Sequence, residues 1–388
     1  MRETYGSDFL PAYGIDRKWL YFLRHSLNIS RHNSLIASQR RCVGRRSFLM
    51  DLQIRAATFS GYLEVAQALH FSPHELLRKA GIDPAVLATP EQLISAKAMV
   101  WLIEESAVQT GKINFGLRMA DQRKASGMGV VGMLLPHRRT LRDAIETLIE
   151  YRQLLNAMLV TDITDNGNVV FIRQEVMPVT GHYSRQATEL AMGVLVNACR
   201  LLLGAKWRPL SIHFTHSPPT ELMFHERVFG CEVVFDSELN GFTCFSRDLD
   251  GLNPLADPFM VEQLERSIQS RLEVDRDSVT LSVQRAIVLL LPVGRASINQ
   301  VADHLHMSVR TLQRRLDDEA QQFSDLVGAL RRDLAAQYLM NKRYSIEHVA
   351  TLLGYTSQSA FARWFKGEYG RSPTRWRASP SSTESHPD

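Results

Sequence analysis

Two short segments near the C-terminal end of the chain carry arginine and glutamine at spacings that suit contacts with nucleic acid. Arginine can donate two hydrogen bonds to guanine, glutamine can make two to adenine, and arginine and lysine neutralise phosphates. The polar faces comprise Arg310, Thr311, Gln313, Arg314 and Arg315 in one segment, and Gln358, Ser359, Ala362, Arg363 and Lys366 in the other. Any single residue of this set is explained equally well as solvated helix surface. The paired arrangement favours DNA recognition.

Each polar face belongs to a predicted helix that needs a partner helix to hold it. Leu312 and Leu316 in the first segment, and Phe361 and Phe365 in the second, are spaced i, i+4 and should face a small core. Each helix starts after a serine that is a good N-cap. The preceding short helices carry Val301, Ala302 and Leu305 in one copy, and Ile346, Val349, Ala350 and Leu353 in the other. The pattern predicts two helix-turn-helix units, with turns that hold Met307 and Gly354.

A long helix is predicted between the two units, from Phe323 to Met340. Its apolar residues recur at i+4 steps, at Leu326, Leu330, Leu334 and Tyr338. A helix of this length is roughly 27 Å long, and successive major grooves on one DNA face are about 34 Å apart. The helix therefore sets a spacing at which both units can dock together.

These segments resemble the DNA-binding domain of the AraC/XylS family of bacterial transcription regulators. The resemblance is carried by Ser308, Arg310–Leu312, Arg314–Leu316, Ile346, Val349, Ala350, Leu353–Tyr355, Ser359–Lys366, Gly370–Pro373 and Arg377. It implies base-reading roles for Arg310, Gln313, Arg314, Gln358, Ser359, Ala362 and Arg363. Arg315, Lys366 and Arg371 are the expected phosphate contacts.

The N-terminal half resembles the effector domain of one subgroup of the same family. The matching pieces are Phe115–Leu117, Thr140–Ala144, Trp207–Pro209, Phe229–Cys231, Val233, Phe235 and Ala256–Pro258. The resemblance implies that this half senses a small-molecule effector and forms a homodimer. It also implies promoter activation through RNA polymerase in the cytoplasm, without a cofactor. The sequence does not locate the effector pocket.

Charge is unevenly distributed along the 388 residues and indicates several domains. Residues 1–50 carry a net charge of +6, residues 51–277 carry −6, and residues 278–378 carry +6. We expect a basic extension over 1–50, an effector-binding and dimerisation domain over 51–272, a DNA-binding domain over 279–378, and a disordered tail over 379–388. The extension is either a disordered arm that touches phosphates or a segment upstream of the true start at Met50, which we favour.

The N-terminal half alternates helices with short strands, which predicts an α+β domain, whereas the C-terminal domain should be all-α. Helices are expected over Ala96–Thr110, Leu141–Met158 and Arg185–Leu203. Expected strands are Val160–Asp165 paired with Val169–Ile172, a half-buried strand around Ile212, and a hairpin of Val233–Phe235 with Phe242–Phe245. A further apolar helix, Val279–Leu291, should brace the first helix-turn-helix unit.

Enzymatic and metal-binding readings find little support. Gly127, Gly129 and Gly132 match the pattern GxGxxG. No strand is predicted before them and Pro136 soon follows, so a dinucleotide-binding fold is not expected. His213 and His216 would point to opposite faces of a strand, so a common metal site with His225 and Cys231 is not expected. The scattered cysteines are expected to be reduced thiols, and no apolar run is long enough to span a membrane. An architectural protein that binds DNA by charge alone, or less plausibly an enzyme fused to a DNA-binding domain, remains the alternative.

Overall fold

The computed structural model describes residues 52–123, 125–178, 184–272, 278–341 and 343–378. The basic extension expected over 1–50, the charged segment 273–277 and the tail expected over 379–388 lie outside the described residues.

The N-terminal half holds two antiparallel or mixed sheets. The strands are β1 Gln53–Arg55, β2 Leu93–Ser95, β3 Leu159–Asn166, β4 Val169–Val176, β5 Ser211–His213, β6 Glu232–Val234 and β7 Gly241–Phe245. Strands β1 and β2 form a small antiparallel sheet, and the larger sheet has the order β3-β4-β7-β5-β6. The expected β3–β4 hairpin is confirmed, with Thr161 opposite Gln174.

The expected hairpin between β6 and β7 is wrong. Strand β5 lies between them, parallel to β6 and antiparallel to β7. Strand β5 is also fully buried rather than half-buried, because its polar side chains are satisfied inside the sheet. Ser211 Oγ lies 2.9 Å from His213 Nε2 and 2.7 Å from Thr243 Oγ1.

Helices cover the larger sheet and fill the rest of the N-terminal half. They are α1 Tyr62–Ala68, α2 His74–Lys79, α3 Ala96–Thr110, α4 Phe115–Gln122, α5 Gly129–Leu134, α6 Leu141–Glu150, α7 Arg152–Leu155, α8 Arg185–Leu203, α9 Met223–Phe229, α10 Ser246–Asp250 and α11 Pro258–Leu272. Short 3-10 turns occupy Ala56–Phe59, Pro84–Ala88, Ala125–Met128 and Leu135–His137. The bounds expected for α3 and α8 are confirmed. Ser95 and Ser184 cap their first turns by accepting from Ala98 N and Ala187 N.

The single helix expected from Leu141 to Met158 is wrong. It stops at Glu150, and after the short α7 the chain turns into β3. The Asn156 side chain accepts a hydrogen bond from Met158 N at 2.9 Å, and such a local bond competes with helix continuation. Met158 O then accepts from Met177 N, so sheet pairing overrides the helical periodicity.

The C-terminal half is entirely helical over its described residues. Its helices are α12 Val279–Leu290, α13 Ile298–His304, α14 Val309–Asp318, α15 Phe323–Met340, α16 Ile346–Leu352, α17 Gln358–Tyr369 and α18 Pro373–Ala378. The long helix α15 and the brace α12 follow the expected bounds, α12 ending one residue early. The apolar core of this half also includes Val160 and Met177 from the sheet.

Candidate DNA-binding surface

The first helix-turn-helix unit comprises α13 and α14 and packs against α12. A capping box opens α13, in which Ser297 and Gln300 satisfy each other's backbone groups. At the turn, Met307 N donates to Ala302 O at 2.9 Å, and Ser308 caps α14 by accepting from Thr311 N at 3.2 Å. These local bonds fix the angle at which α14 leaves the turn.

The second unit, α16 and α17, repeats this backbone pattern. Ser345 caps α16 and Ser357 caps α17, the latter by accepting from Ala360 N at 3.2 Å. Tyr355 N donates to Ala350 O at 2.9 Å, as Met307 does to Ala302 in the first unit. The internal repeat predicted from the sequence therefore extends to the hydrogen bonds of the turns and the helix caps.

Most of the predicted DNA-contacting residues lie exposed on the sides of α14 and α17 that face away from the core. Leu312, Leu316, Phe361 and Phe365 are fully buried. The exposed residues are Arg310, Gln313, Arg314, Arg315, Gln358, Ser359, Arg363, Lys366 and, in the bend before α18, Arg371. Ala362 is partly buried among them. On α14 the three base-reading candidates fall at i, i+3 and i+4, and hence on one face.

The polar side chains of this exposed set make no hydrogen bond or salt bridge within the described residues. Other arginines of the same half are used internally. Arg331 Nε donates to Leu353 O at 3.0 Å and its guanidinium covers the Tyr355 ring. Arg332 pairs with Glu368 at 3.3 Å, and Arg377 donates to Leu339 O and Tyr344 O. The chain thus separates arginines that build the fold from arginines that face solvent.

Two sets of side chains connect the C-terminal half to the sheet. Arg173, buried on β4, donates to Leu289 O at 2.7 Å and Val288 O at 3.3 Å at the end of α12. Arg285 on α12 donates back to Ala157 O at 2.8 Å. Helix α12, which supports the first unit, is therefore bonded to strand β4 and to the turn that precedes β3.

The second unit is connected through the turn before α16. Tyr344 donates its hydroxyl hydrogen to Ser237 O at 2.5 Å, and Asn341 donates to Thr215 O at 3.2 Å. Burial raises the pKa of Tyr344, so the phenol remains a donor at neutral pH. Arg343 adds a salt bridge to Asp236 at 2.6 Å.

Comparisons with known proteins agree with this architecture. Residues 71–251 match the family described as the arabinose-binding domain of AraC transcription regulator, N-terminal, and residues 301–379 match a helix-turn-helix domain family. The transcriptional regulator VirS of Mycobacterium tuberculosis is 30% identical over 328 residues, covering 84% of this chain and 96% of VirS. The chain belongs to the AraC/XylS family. It is a DNA-binding transcription regulator with an effector-binding domain of the arabinose-binding type.

Two further proteins illustrate the range of similarity. The ornithine utilization regulator of Pseudomonas aeruginosa is 25% identical over 320 residues, covering 82% of this chain and 94% of that protein. The crystal structure of the transcriptional regulator CdpR from Pseudomonas aeruginosa is 20% identical and covers 81% of this chain and 98% of CdpR, with a TM-score of 0.38. That superposition is too poor to add to the fold assignment.

The other sequence motifs have structural positions in the regulator. The GxGxxG segment runs from the Ala125–Met128 turn into α5, without a strand before it. His216 and His225 approach the buried Glu189 Oε1 at 3.5 and 3.1 Å, while His213 contacts Ser211 and Ser237 instead. Among the described residues no group of three or more His, Cys, Asp or Glu side chains is arranged to hold a metal ion. No described helix has the length and apolarity to cross a membrane.

Sequence analysis missed the side chains that join the two halves. Arg173 follows the apolar run of β4, and an arginine in a buried strand signals a buried acceptor. Tyr344 and Ser237 gave no comparable signal, because their contact depends on how separate elements pack.

Proposed function

We propose that this regulator reads two successive major-groove segments on one face of DNA, one with each helix-turn-helix unit. Arg310, Gln313, Arg314, Gln358, Ser359, Ala362 and Arg363 are the proposed base-reading residues. Arg315, Lys366 and Arg371 are proposed to hold phosphates. This proposal rests on one observation. The polar members of this set are exposed, and their side chains make no hydrogen bond or salt bridge within the described residues, so they are available to DNA.

We further propose that the protein acts in the cytoplasm as a homodimeric activator that contacts RNA polymerase, and that it is not an enzyme. The proposed effector-binding and dimerisation domain spans 51–272, and the proposed DNA-binding domain spans 279–378. Exposed apolar side chains near the start of α11, including Leu255 and Phe259, support a surface for a second copy. Light scattering over a range of protein concentrations would measure the oligomeric state, and a monomer throughout would contradict the dimer.

Selection of bound fragments from sheared genomic DNA tests the DNA-reading proposal. Purified full-length protein at physiological salt should recover one motif of about 20 base pairs, with two elements roughly one helical turn apart. Genes beside the recovered sites would indicate the class of effector.

An architectural protein that binds by charge would give a different result. It would recover fragments without a shared motif, and its affinity would fall steeply with salt on every sequence. That outcome would contradict the proposed reading of bases. A motif with only one element would restrict the proposal to a single unit.

A further inference from the structure

A cavity of about 370 Å³ lies between the sheet, α8 and the support of the first helix-turn-helix unit. This volume is within the range of roughly 300–1,000 Å³ typical of small-molecule pockets. Its walls are mainly apolar, with Met99, Leu148, Met158 and Leu190 from the effector domain. An apolar enclosure of this size suits the body of a small organic molecule.

Polar groups without partners also line this cavity. Arg123 Nε is buried and has no hydrogen-bond partner among the described residues. Within the described residues this guanidinium makes one hydrogen bond, from Nη2 to Gly127 O at 2.9 Å. No carboxylate of the described chain lies within salt-bridge distance of Arg123, and burial lowers its pKa to about 10. The arginine remains charged at neutral pH, and no carboxylate of the described residues compensates its charge.

Two other residues on the cavity wall also carry polar atoms without partners. Thr58 Oγ1 and Gln174 Nε2 are buried without hydrogen-bond partners among the described residues. A buried donor left unpaired destabilises the fold, and more so if it is charged. The 3-10 turn that contains Thr58 packs against the turn after Arg123, so the hydroxyl and the guanidinium lie at the same end of the cavity.

We infer that this cavity binds an apolar monocarboxylate, with the carboxylate on Arg123 and the hydrocarbon body among the methionines and leucines. The inference rests on the effector role proposed above and specifies its chemistry. A carboxylate matches one guanidinium in charge and in bidentate geometry. Three arginines line the cavity, but Arg152 donates to Ile149 O and Arg285 donates to Ala157 O, which leaves Arg123 as the expected anion contact. A phosphate carries nearly two charges at neutral pH, and one guanidinium on a mainly apolar wall matches it poorly.

The far wall of the cavity belongs to the DNA-binding half. Ser282, Ala286 and Leu289 on α12 contribute to it, together with Leu305 and His306 from the turn of the first unit. A bound ligand therefore touches both the effector domain and the element that sets the direction of α14. Occupancy and DNA binding are coupled, and the coupling factor is the same in both directions.

The test is a binding titration on full-length protein with straight-chain, branched and aromatic monocarboxylates, each beside its matched primary alcohol. At least one acid should bind and raise the unfolding midpoint, and should bind tenfold or more tightly than its alcohol. The Arg123→Gln variant should lose this preference for the acid, whereas Arg78→Gln, which changes an exposed arginine outside the cavity, should retain it.

A second variant locates the ligand. Ala191 lines the cavity, and Ala191→Leu should fill space and weaken both acid and alcohol. The inference is overturned if no acid in the series binds, if acid and alcohol bind equally, or if Arg123→Gln keeps the preference. Retained binding by Ala191→Leu would place the ligand elsewhere and would overturn it as well.

DNA binding separates this inference from the proposed function. If a shared DNA motif is recovered but no acid binds, the cavity inference fails and the proposed reading of DNA stands. If an acid binds through Arg123 but no motif is recovered with or without it, the reading of DNA fails and the cavity assignment stands.

Discussion

The two helix-turn-helix units share a backbone plan but differ in what holds each in place. The first unit is supported by α12, whose end is bonded to the buried Arg173 of the sheet, and its turn forms part of the cavity wall. The second is supported by an aromatic cluster within the C-terminal half and by the turn before α16. The first unit is therefore the one placed to respond to the effector domain, and the second is the more self-contained.

The turns of the two units share one backbone conformation but place different residues in it, His306 in the first unit and Gly354 in the second. Gly354 and His306 both have positive φ, 71° and 53°, and both backbone N–H groups close the preceding helix by donating to a carbonyl three residues earlier. The second turn accommodates one more residue before its capping serine.

The largest expected effect compares the aromatic packing of α17 in the second unit with the leucine packing of α14 in the first. Phe365 stacks on Tyr369 with ring centroids 4.2 Å apart and also contacts Phe361 and Trp376. Phe365→Ala should lower the free energy of unfolding by about 3–5 kcal/mol, and more than Leu316→Ala does, since aromatic pairs add about 0.5–1.5 kcal/mol. Denaturant unfolding followed by tryptophan fluorescence measures both. A larger loss for Leu316→Ala would contradict the aromatic support of the second unit.

The next comparison is between two side chains that link the C-terminal half to the effector domain, Arg173 and Tyr344. Arg173→Met removes bonds to Leu289 O and Val288 O and leaves Glu175 without its salt bridge at 3.0 Å. Loss of one partner from a buried pair costs about 3 kcal/mol. Tyr344→Phe removes one hydrogen bond to Ser237 O and should cost about 1 kcal/mol.

Urea unfolding of the two variants beside the wild type measures this difference. Arg173→Met should be the more destabilising change, because it loosens the helix that supports the first unit. Equal losses would mean that the two units are linked to the effector domain with similar strength.

The last comparison concerns the turns, where each change involves a single residue. Gly354→Ala places a side chain in the left-handed region and brings its Cβ to 3.3 Å from Leu291 Cδ1, so it should cost about 1–2 kcal/mol. His306→Gly relieves the corresponding strain in the first unit and should stabilise by about 0.5 kcal/mol. Thermal unfolding of both variants tests the pair. Destabilisation by His306→Gly would show that its side chain contributes more than the backbone strain costs.

Sequence predicted the parts of the molecule that depend on local pattern. The bounds of α3 and α8 follow from capping serines, apolar spacing and a stop at Gly111 or Gly204. Those of α15 follow from apolar spacing alone. The exposed faces of α14 and α17 follow in the same way, because helical periodicity determines which side is buried.

The features that sequence could not predict depend on contacts between distant segments. Strand β5 enters the sheet between β6 and β7 and breaks an apparent hairpin. The helix after Leu141 ends because β3 pairs with β4. The cavity around Arg123 is assembled from at least four separate elements, so no local pattern reports it.

The most direct test of the central claim compares Arg314→Ala with Arg363→Ala on the recovered DNA site and on every single-base variant of it. Each change should cost about 1–3 kcal/mol of binding free energy and relax the preference at one base position. The two relaxed positions should lie about 10 base pairs apart, one in each element. Arg371→Ala is the control, and it should weaken all sequences alike and reduce the salt slope by about 1. If Arg314→Ala and Arg363→Ala also weaken every sequence equally, both arginines hold phosphates and the proposed two-unit reading of DNA is wrong.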